Sequence, residues 1–321
     1  MAHTITIEAL AEGLNQVSQQ FSTIIHDTLR TGLEFETQVP MVETDYAYTG
    51  QKVSLGQVLQ PYQYQFTPVN SETFDGITSY LKPIKSDLLF SADQLEDFFS
   101  KWRPSWFTPD PNKTQMGYAQ YVIQNHILPK ITEDLNTLSW SGEYAAPTPG
   151  TAGALAGSVD GFKVNLETHI SDGLISPLAV GAIVPSSMVD QVREFCQLIP
   201  EPYRYRKGII FMSKTNAQYY ADNYQDKWKT RLVNEQQQDS LYLRVDHYNK
   251  MIVGVTAMEG SDRFICNFDN LASMIVGSRR GYPPYFNFRF EPEDRTLKCF
   301  AEIYRFYNLE TALHIFLNDQ E

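Results

Sequence analysis

At 321 residues, with 42% hydrophobic and 20% charged side chains, the chain is long enough for two core-bearing domains, or for one domain with large insertions, and has the balance of a soluble globular protein. A formal net charge of −12 speaks against a nucleic-acid binder overall, because neutralising phosphates takes clustered Lys and Arg. No apolar run reaches the roughly 18 residues that a membrane-spanning helix needs, and the N-terminus lacks the basic-then-apolar pattern of a secretory signal, so a protein made and first folded in a cytoplasm is expected.

Leu10, Leu14, Val17, Phe21, Ile24, Ile25 and Leu29 recur mostly at steps of three and four, which predicts an amphipathic helix stopping near Gly32. Two roles are open for it: an arm docked on a neighbouring subunit, with Leu14 and Phe21 as contacts, or a helix packed on its own core. Further on, Tyr62, Tyr64 and Phe66 alternate with Gln63 and Gln65, placing rings and amides on opposite faces of an extended segment. Pro61 and Pro68 bound it, predicting a strand over Tyr62–Thr67 that returns as a second strand over about Ile77–Leu89. Such a hairpin holds few residues large enough for a core of its own, and an isolated two-stranded hairpin is marginal in water. Its aromatic face is expected to lie on something else, either another copy of the chain or its own domain.

Ser91 is a plausible N-cap for a helix carrying Leu95, Phe98, Phe99 and Trp102 on one side. A proline-broken loop follows (Pro104, Pro109, Pro111), then the longest helical stripe of the sequence: Ala119, Val122, Ile123, Ile127, Ile131, Leu135 and Leu138. Pro129 within it would cost about 3 kcal/mol in a regular helix interior, so a kink or two helices end to end are expected there. Gly142–Gly161, rich in Gly, Ala, Pro and Thr, reads as a subdomain boundary.

Beyond it, Leu178–Val184 is a short strand candidate, Ser186 or Ser187 could cap a helix through about Leu198, Gly208–Met212 is a second strand, and Ser213 could cap a helix carrying Ala217, Tyr220, Ala221 and Tyr224. Leu241–Val245 and Met251–Val255 are further strands, and this alternation suggests a compact α/β subdomain. At the C-terminal end, Phe286, Phe288 and Phe290 alternate with Asn287 and Arg289, so the rings share one face of a strand. Glu291-Pro292-Glu293-Asp294 is a turn, and Arg295 to about Tyr307 is a return strand, apolar on both faces and expected to be covered on both.

Chemistry-bearing patterns are sparse. Cys196, Cys266 and Cys299 are far apart with no CxxC or Cys/His cluster, which reads as reduced core thiols. Gly150, Gly153 and Gly157 match neither a dinucleotide fingerprint nor a P-loop, and no GxSxG elbow exists. The six histidines never pair at i, i+4; Asp222 with Asp226, and Glu291, Glu293 and Asp294, could do acid–base work but equally fit a solvated helix face and a turn. No catalytic residue, cofactor or metal is assigned. Two basic–aromatic clusters, Tyr203–Lys207 and Lys227–Arg231, could stack bases. Protein interfaces also favour Arg and aromatics, and subunit contacts through Arg204, Arg206 and Trp228 are preferred, beside Tyr62, Tyr64 and Phe66 of the hairpin.

Taken in order, these pieces resemble the major capsid proteins of tailed bacteriophages, the Hong Kong 97-type shell fold. Lys82-Pro83-Ile84-Lys85 through Ser91-Ala92-Asp93-Gln94-Leu95 is similar to the family's return strand running into a helix, and Leu135–Gly142 to the end of its spine helix. Ile209-Ile210-Phe211-Met212-Ser213 with Tyr219–Trp228 resembles its strand–helix passage in the axial domain, and Phe268-Asp269-Asn270-Leu271 through Val276-Gly277 its return to the peripheral domain. The resemblance implies an α+β chain with an N-terminal arm (1–45), an extended β-hairpin loop (46–88), a long spine helix, a peripheral domain (89–160 and 265–321) and an axial domain (161–264). It further implies a non-enzymatic subunit that self-assembles as hexamers and pentamers into an icosahedral phage head in the host cytoplasm. Portal and scaffolding or decoration proteins would be partners, and double-stranded DNA would be enclosed without sequence-specific binding. Nothing near Lys52, Lys82 or Lys85 matches a motif for the Lys–Asn cross-link of some members. Three rivals remain: an encapsulin-like compartment of the same fold, a soluble hydrolase acting through Asp222 and Asp226 or the Glu291–Asp294 turn, and a tail or adhesion protein, for which more repeats and β-structure would be expected.

Overall fold

A computed structural model describes residues 7–20, 32–55, 59–65, 72–91, 93–94, 121–229, 241–268, 274–281, 286–294, 296–311 and 314–320. Helix α1 (Ile7–Gln20) is followed by β1 (Met41–Thr44), β2 (Ala47–Leu55), β3 (Glu72–Tyr80) and β4 (Lys82–Ser91). A π-helical turn (Ile123–Ile127) leads into α2 (Leu128–Ser141), and then come α3 (Phe162–Ser171), α4 (Met188–Leu198), β5 (Gly208–Ser213) and α5 (Lys214–Trp228). The remainder is strand: β6 (Leu241–Val245), β7 (Lys250–Val255), β8 (Ile265–Phe268), β9 (Met274–Arg279), β10 (Phe286–Glu291), β11 (Thr296–Leu309) and β12 (Phe316–Leu317).

The alternating phenylalanines form the expected antiparallel pair. In β10, Phe286 lies opposite Ala301 and Phe288 opposite Cys299 of β11, all four buried, while Asn287 and Arg289 are exposed. On its other flank β11 takes β4, with Leu88 opposite Cys299 and Ile84 opposite Ile303; β9 pairs with its last residues and β1 runs parallel to β9. The return strand is covered on both faces only from Arg305 to Leu309; before that Phe300 and Glu302 face outward. The second sheet has the order β12-β8-β5-β7-β6, with β5 and β7 parallel. Buried throughout, β5 reads as the unbroken apolar run of a strand covered on both sides. Ile210 and Met212 meet α4 and α5, whereas Ile209 and Phe211 meet the main core.

Local signals in the sequence account for several element ends. Ser91 Oγ accepts the Gln94 N–H at 3.4 Å while Gln94 Oε1 accepts the Ser91 N–H at 3.0 Å, a reciprocal capping box. Ser213 Oγ accepts from the Asn216 N–H at 3.2 Å and caps α5 as expected. Helix α4 has no side-chain cap from Ser187; Asn223 of α5 reaches across to accept the Val189 N–H at 3.1 Å. Pro129 sits in the first turn of α2, directly after the π-helical turn, so the helix runs on through it with its hydrogen-bond register shifted from i−5 to i−4.

One expectation needs correcting. Leu178–Val184 is no strand beyond a single parallel bridge from Leu178 to Asn318: the Val180 and Gly181 N–H groups go to the Asp319 carboxylate, and Gly181 has a positive φ. In the structure β8 and β12 belong to the second sheet, and Phe162 and Leu166 of α3 join the core of the first. Residues 33–44, at the end of the expected arm, pack into the body. Leu33, Phe35 and Val39 are buried in the main core, with the Phe35 ring 5.2 Å from Phe211, 5.3 Å from Phe162 and 6.3 Å from Trp140, and β1 completes the first sheet.

Within this wedge Glu36 is buried and paired. Arg305 Nε donates to one carboxylate oxygen at 3.0 Å and Nη2 to the other at 3.4 Å, with the Tyr307 hydroxyl at 3.3 Å. Burial pushes the Tyr307 phenol well above its usual range, with Glu36 adding to the shift. For Arg305, desolvation works to lower the pKa but the charge and hydrogen bonds of Glu36 and Tyr307 outweigh it, so the group is held charged. Glu34 turns the other way: its backbone N–H donates to Asn136 Oδ1 of α2 at 3.0 Å, and its carboxylate takes the Thr256 N–H at 2.5 Å, the Thr256 hydroxyl at 2.7 Å and the Lys214 ammonium at 3.0 Å.

Removing one partner of a buried ion pair costs about 3–5 kcal/mol, whereas an apolar replacement of both can be neutral. Urea denaturation of Glu36→Leu and of Arg305→Met is therefore expected to show such losses, and the double variant to be more stable than either single one. A double variant as unstable as the sum of the two would refute this reading of the wedge.

Candidate assembly surface

The projecting hairpin exists, but its strands are β2 and β3, running from Ala47 opposite Tyr80 to Leu55 opposite Glu72 as a two-stranded sheet of their own. Tyr62–Gln65 is not strand, which corrects the expected Tyr62–Thr67 element. The chain bends at Tyr64 and Gln65, and β3 pairs with β2 instead. The expected return strand over Ile77–Leu89 divides at Leu81: its first part is the end of β3, and its second is β4 on β11.

Among the described residues, the hairpin is fastened to the body at its base. The Tyr48 ring stacks on Phe306 with centroids 6.4 Å apart, and its hydroxyl donates to Glu310 Oε1 at 2.8 Å. Asn308 Nδ2 donates to Ser79 Oγ at 2.8 Å, and Leu81 packs with Ile275 and Phe306. Gly50 crosses the Glu310 backbone so closely that a Cβ there would stand 2.5 Å from the Glu310 carbonyl oxygen. Burial, then the bond to Glu310 and its charge, push the Tyr48 phenol up to about 12.

Beyond the base the aromatics meet solvent. Tyr62 is 93% and Tyr64 99% exposed, Leu59 lies bare beside them, and Tyr46 and Tyr80 form an exposed edge-on pair 5.9 Å apart. Phe66 and Phe21 lie outside the described residues. Leu14 is wholly buried in the chain's own core, because α1 packs along β10.

The two basic–aromatic clusters sit at the far end of the second sheet. The buried Lys250 ammonium donates to the carbonyls of Tyr203 (3.2 Å), Arg204 (3.3 Å) and Arg206 and lies 4.5 Å from the Phe268 ring centroid. Burial lowers its pKa. Lys250 thereby fixes the loop that holds Tyr205 outward, stacked on Tyr248 at 6.0 Å. Arg204 is half-buried and directs its Nε to the Ile199 carbonyl at 3.2 Å; Arg206 is exposed and lies over the Tyr203 ring. Trp228 is partly exposed, against Tyr224 at 4.6 Å and Arg193 at 5.9 Å.

Sequence reasoning missed Leu59, Tyr46 and Tyr80, and also Leu89 and Phe300, exposed on the outer face of the first sheet. The signal for the last two was available, since Leu89 shares the period-two parity of Lys85 and Asp87. As to chemistry, Asp222 accepts from Gln218 Nε2 at 2.8 Å, and Glu291 pairs with Arg289 at 3.3 Å and Lys298 at 3.6 Å. Among the described residues no three His, Cys, Asp or Glu side chains could hold a metal ion. The three cysteines are buried and free, and burial pushes Cys196 and Cys299 up to about 12.

No protein-family model and no curated protein sequence matches the chain. Solved structures do. A satellite phage P4 procapsid protein, solved with its size determination protein, superposes with a TM-score of 0.55 at 12% identity over 92% of this chain and 98% of its own. The capsid of an empty GTA particle gives 0.53 at 12% over 90% of each chain. An encapsulin complex from Synechococcus elongatus gives 0.50 at 7% over 89% of this chain and 86% of its own. The fold is the Hong Kong 97-type capsid fold, an α+β architecture matched along nearly the whole chain.

Three outcomes follow from this geometry. Gly50→Val is expected to lift the hairpin base off Glu310, read as faster proteolysis at the base with the main unfolding transition little changed. Tyr48→Phe loses a hydrogen bond of about 0.5–1.5 kcal/mol. Because the folded phenol titrates above its free value of 10.0, that difference from wild type should hold below pH 10 and vanish as the pH rises to about 12. Native protein at pH 8 is expected to resist iodoacetamide at all three thiols, with mass spectrometry showing alkylation only after denaturation.

Proposed function

We propose that this chain is the structural subunit of an icosahedral phage head, self-assembling as hexamers and pentamers around double-stranded DNA that it encloses without reading its sequence. The observation that carries the reading is the β2–β3 ribbon: a separate two-stranded sheet, fastened at its base, with Tyr46, Leu59, Tyr62, Tyr64 and Tyr80 exposed in and around it. A ribbon of this kind is marginal alone, and aromatic side chains are what protein interfaces bury at their centres. Sister copies are the partner, and the assembled capsids sharing the fold support that choice. Tyr62, Tyr64, Arg206 and Trp228, with Phe66 and Phe21, are the proposed contacts between subunits, and Arg204 acts mainly by shaping its loop.

On this reading the protein is not an enzyme, resides in the virion after assembly in the host cytoplasm, and meets portal and scaffolding or decoration proteins. The net charge of −12 limits adhesion to packaged DNA, leaving retention of the genome to confinement. A second reading, an encapsulin-like compartment holding protein cargo, is favoured by the match to an encapsulin complex. Nucleic-acid extraction from purified particles separates the two: DNA-filled heads support the first, and protein-filled shells the second.

Negative-stain microscopy of the expressed chain is expected to show closed shells, and Tyr62→Ser with Tyr64→Ser to give folded subunits that no longer close. A stable wild-type monomer, at concentrations where capsid proteins assemble, would overturn the reading.

A further inference from the structure

The outer edge of β10 is read by a helix. Asn15 Nδ2 donates to the Phe288 carbonyl at 2.7 Å and Asn15 Oδ1 accepts the Phe288 N–H at 2.7 Å, while Ser18 Oγ accepts the Phe286 N–H at 2.8 Å. A side-chain amide that takes both backbone groups of one residue occupies the positions of an antiparallel neighbour at a hydrogen-bonded pair. Phe286 and Phe288 share the parity whose backbone groups point away from β11, and β10 ends the order of its sheet. A bare sheet edge invites another strand, and covering it with a helix is one way proteins suppress this.

The strand behind this cover has the composition of a self-associating segment. Phe286–Glu291 is six residues long, alternates three phenylalanines with Asn, Arg and Glu, balances Arg289 against Glu291, and contains neither Pro nor Gly. An antiparallel pair centred on Phe288 would set Phe286 opposite the second copy's Phe290 and Asn287 opposite its Arg289. Its two central hydrogen bonds would use the same Phe288 N–H and carbonyl that Asn15 now holds.

We propose that the β10 edge is an acceptor for the same strand of a second copy, and that α1 keeps it closed by imitating that strand through Asn15 and Ser18. The inference does not depend on the shell reading, since it concerns a contact within one subunit. Its consequence is that the N-terminal helix prevents two subunits from joining edge to edge.

The test uses the full-length chain, Asn15→Leu with Ser18→Ala, and an immobilised synthetic peptide of residues 286–291. The double variant is expected to bind the peptide about tenfold more tightly than wild type, and N-methylation of the peptide's central Phe to abolish the gain. In wild type the Phe288 amide is expected to exchange slowly with deuterium. Equal binding of wild type and variant, binding indifferent to N-methylation, or a fast-exchanging Phe288 amide would each overturn the proposal. Should the double variant fail to fold, Asn15→Asp, which keeps the acceptor and loses the donor, is measured in the same way; a gain in capture supports the proposal and no gain sinks it.

Discussion

The molecule is held as one body by the seven residues Leu33–Val39. Glu36 faces the first sheet and is locked to Arg305 and Tyr307, whereas Glu34 faces the second and is locked to Thr256 and Lys214. Phe35 lies between them in a ring cluster drawn from α2, α3 and β5. Burying a carboxylate is tolerable only with its charge paired and its lone pairs bonded. Arg305 therefore has little freedom to be anything else, and the last third of β11 is fixed with it. That third also carries the hairpin base, through Phe306 and Asn308.

This chain of dependence separates what is rigid from what is left to partners. The hairpin root is positioned by stacking, one phenol bond and a glycine crossing, while Tyr62 and Tyr64 beyond it are exposed. The second sheet repeats the arrangement at its far end: Lys250 builds a rigid loop from inside, and Tyr205, Arg206 and Trp228 are displayed outside it. Of the two surfaces, the one at the far end of the second sheet is held from inside by Lys250, whereas the rings Tyr62 and Tyr64 lie beyond the fastened base of the hairpin.

Much of the fold was legible in the residues. Period-two phenylalanines gave the β10–β11 pair, Ser213 announced a helix start, and the apolar runs of β5 and β7 announced buried strands, because each of these signals is local; the helix expected after Ser91 lies, beyond Gln94, outside the described residues. What local signals leave undecided has one cause. Leu14 carries the same amphipathic pattern whether its helix docks on a neighbour or on β10. Tyr62 and Tyr64 alternate as in a strand although β3 had already found β2. Leu178–Val184 is apolar enough for a strand, yet its amides are taken by Asp319, far along the chain.

By itself the sequence determined which segments could be helix or strand, which faces were apolar, and that the hairpin could not fold alone. Those properties follow from neighbours within a few positions. Only the tertiary structure decided that Glu36 lies buried against Arg305, that Asn15 addresses the edge of β10, and that the N-terminal helix packs along that strand. Each of these joins residues more than two hundred positions apart, and no local periodicity encodes which distant backbone a side chain will meet.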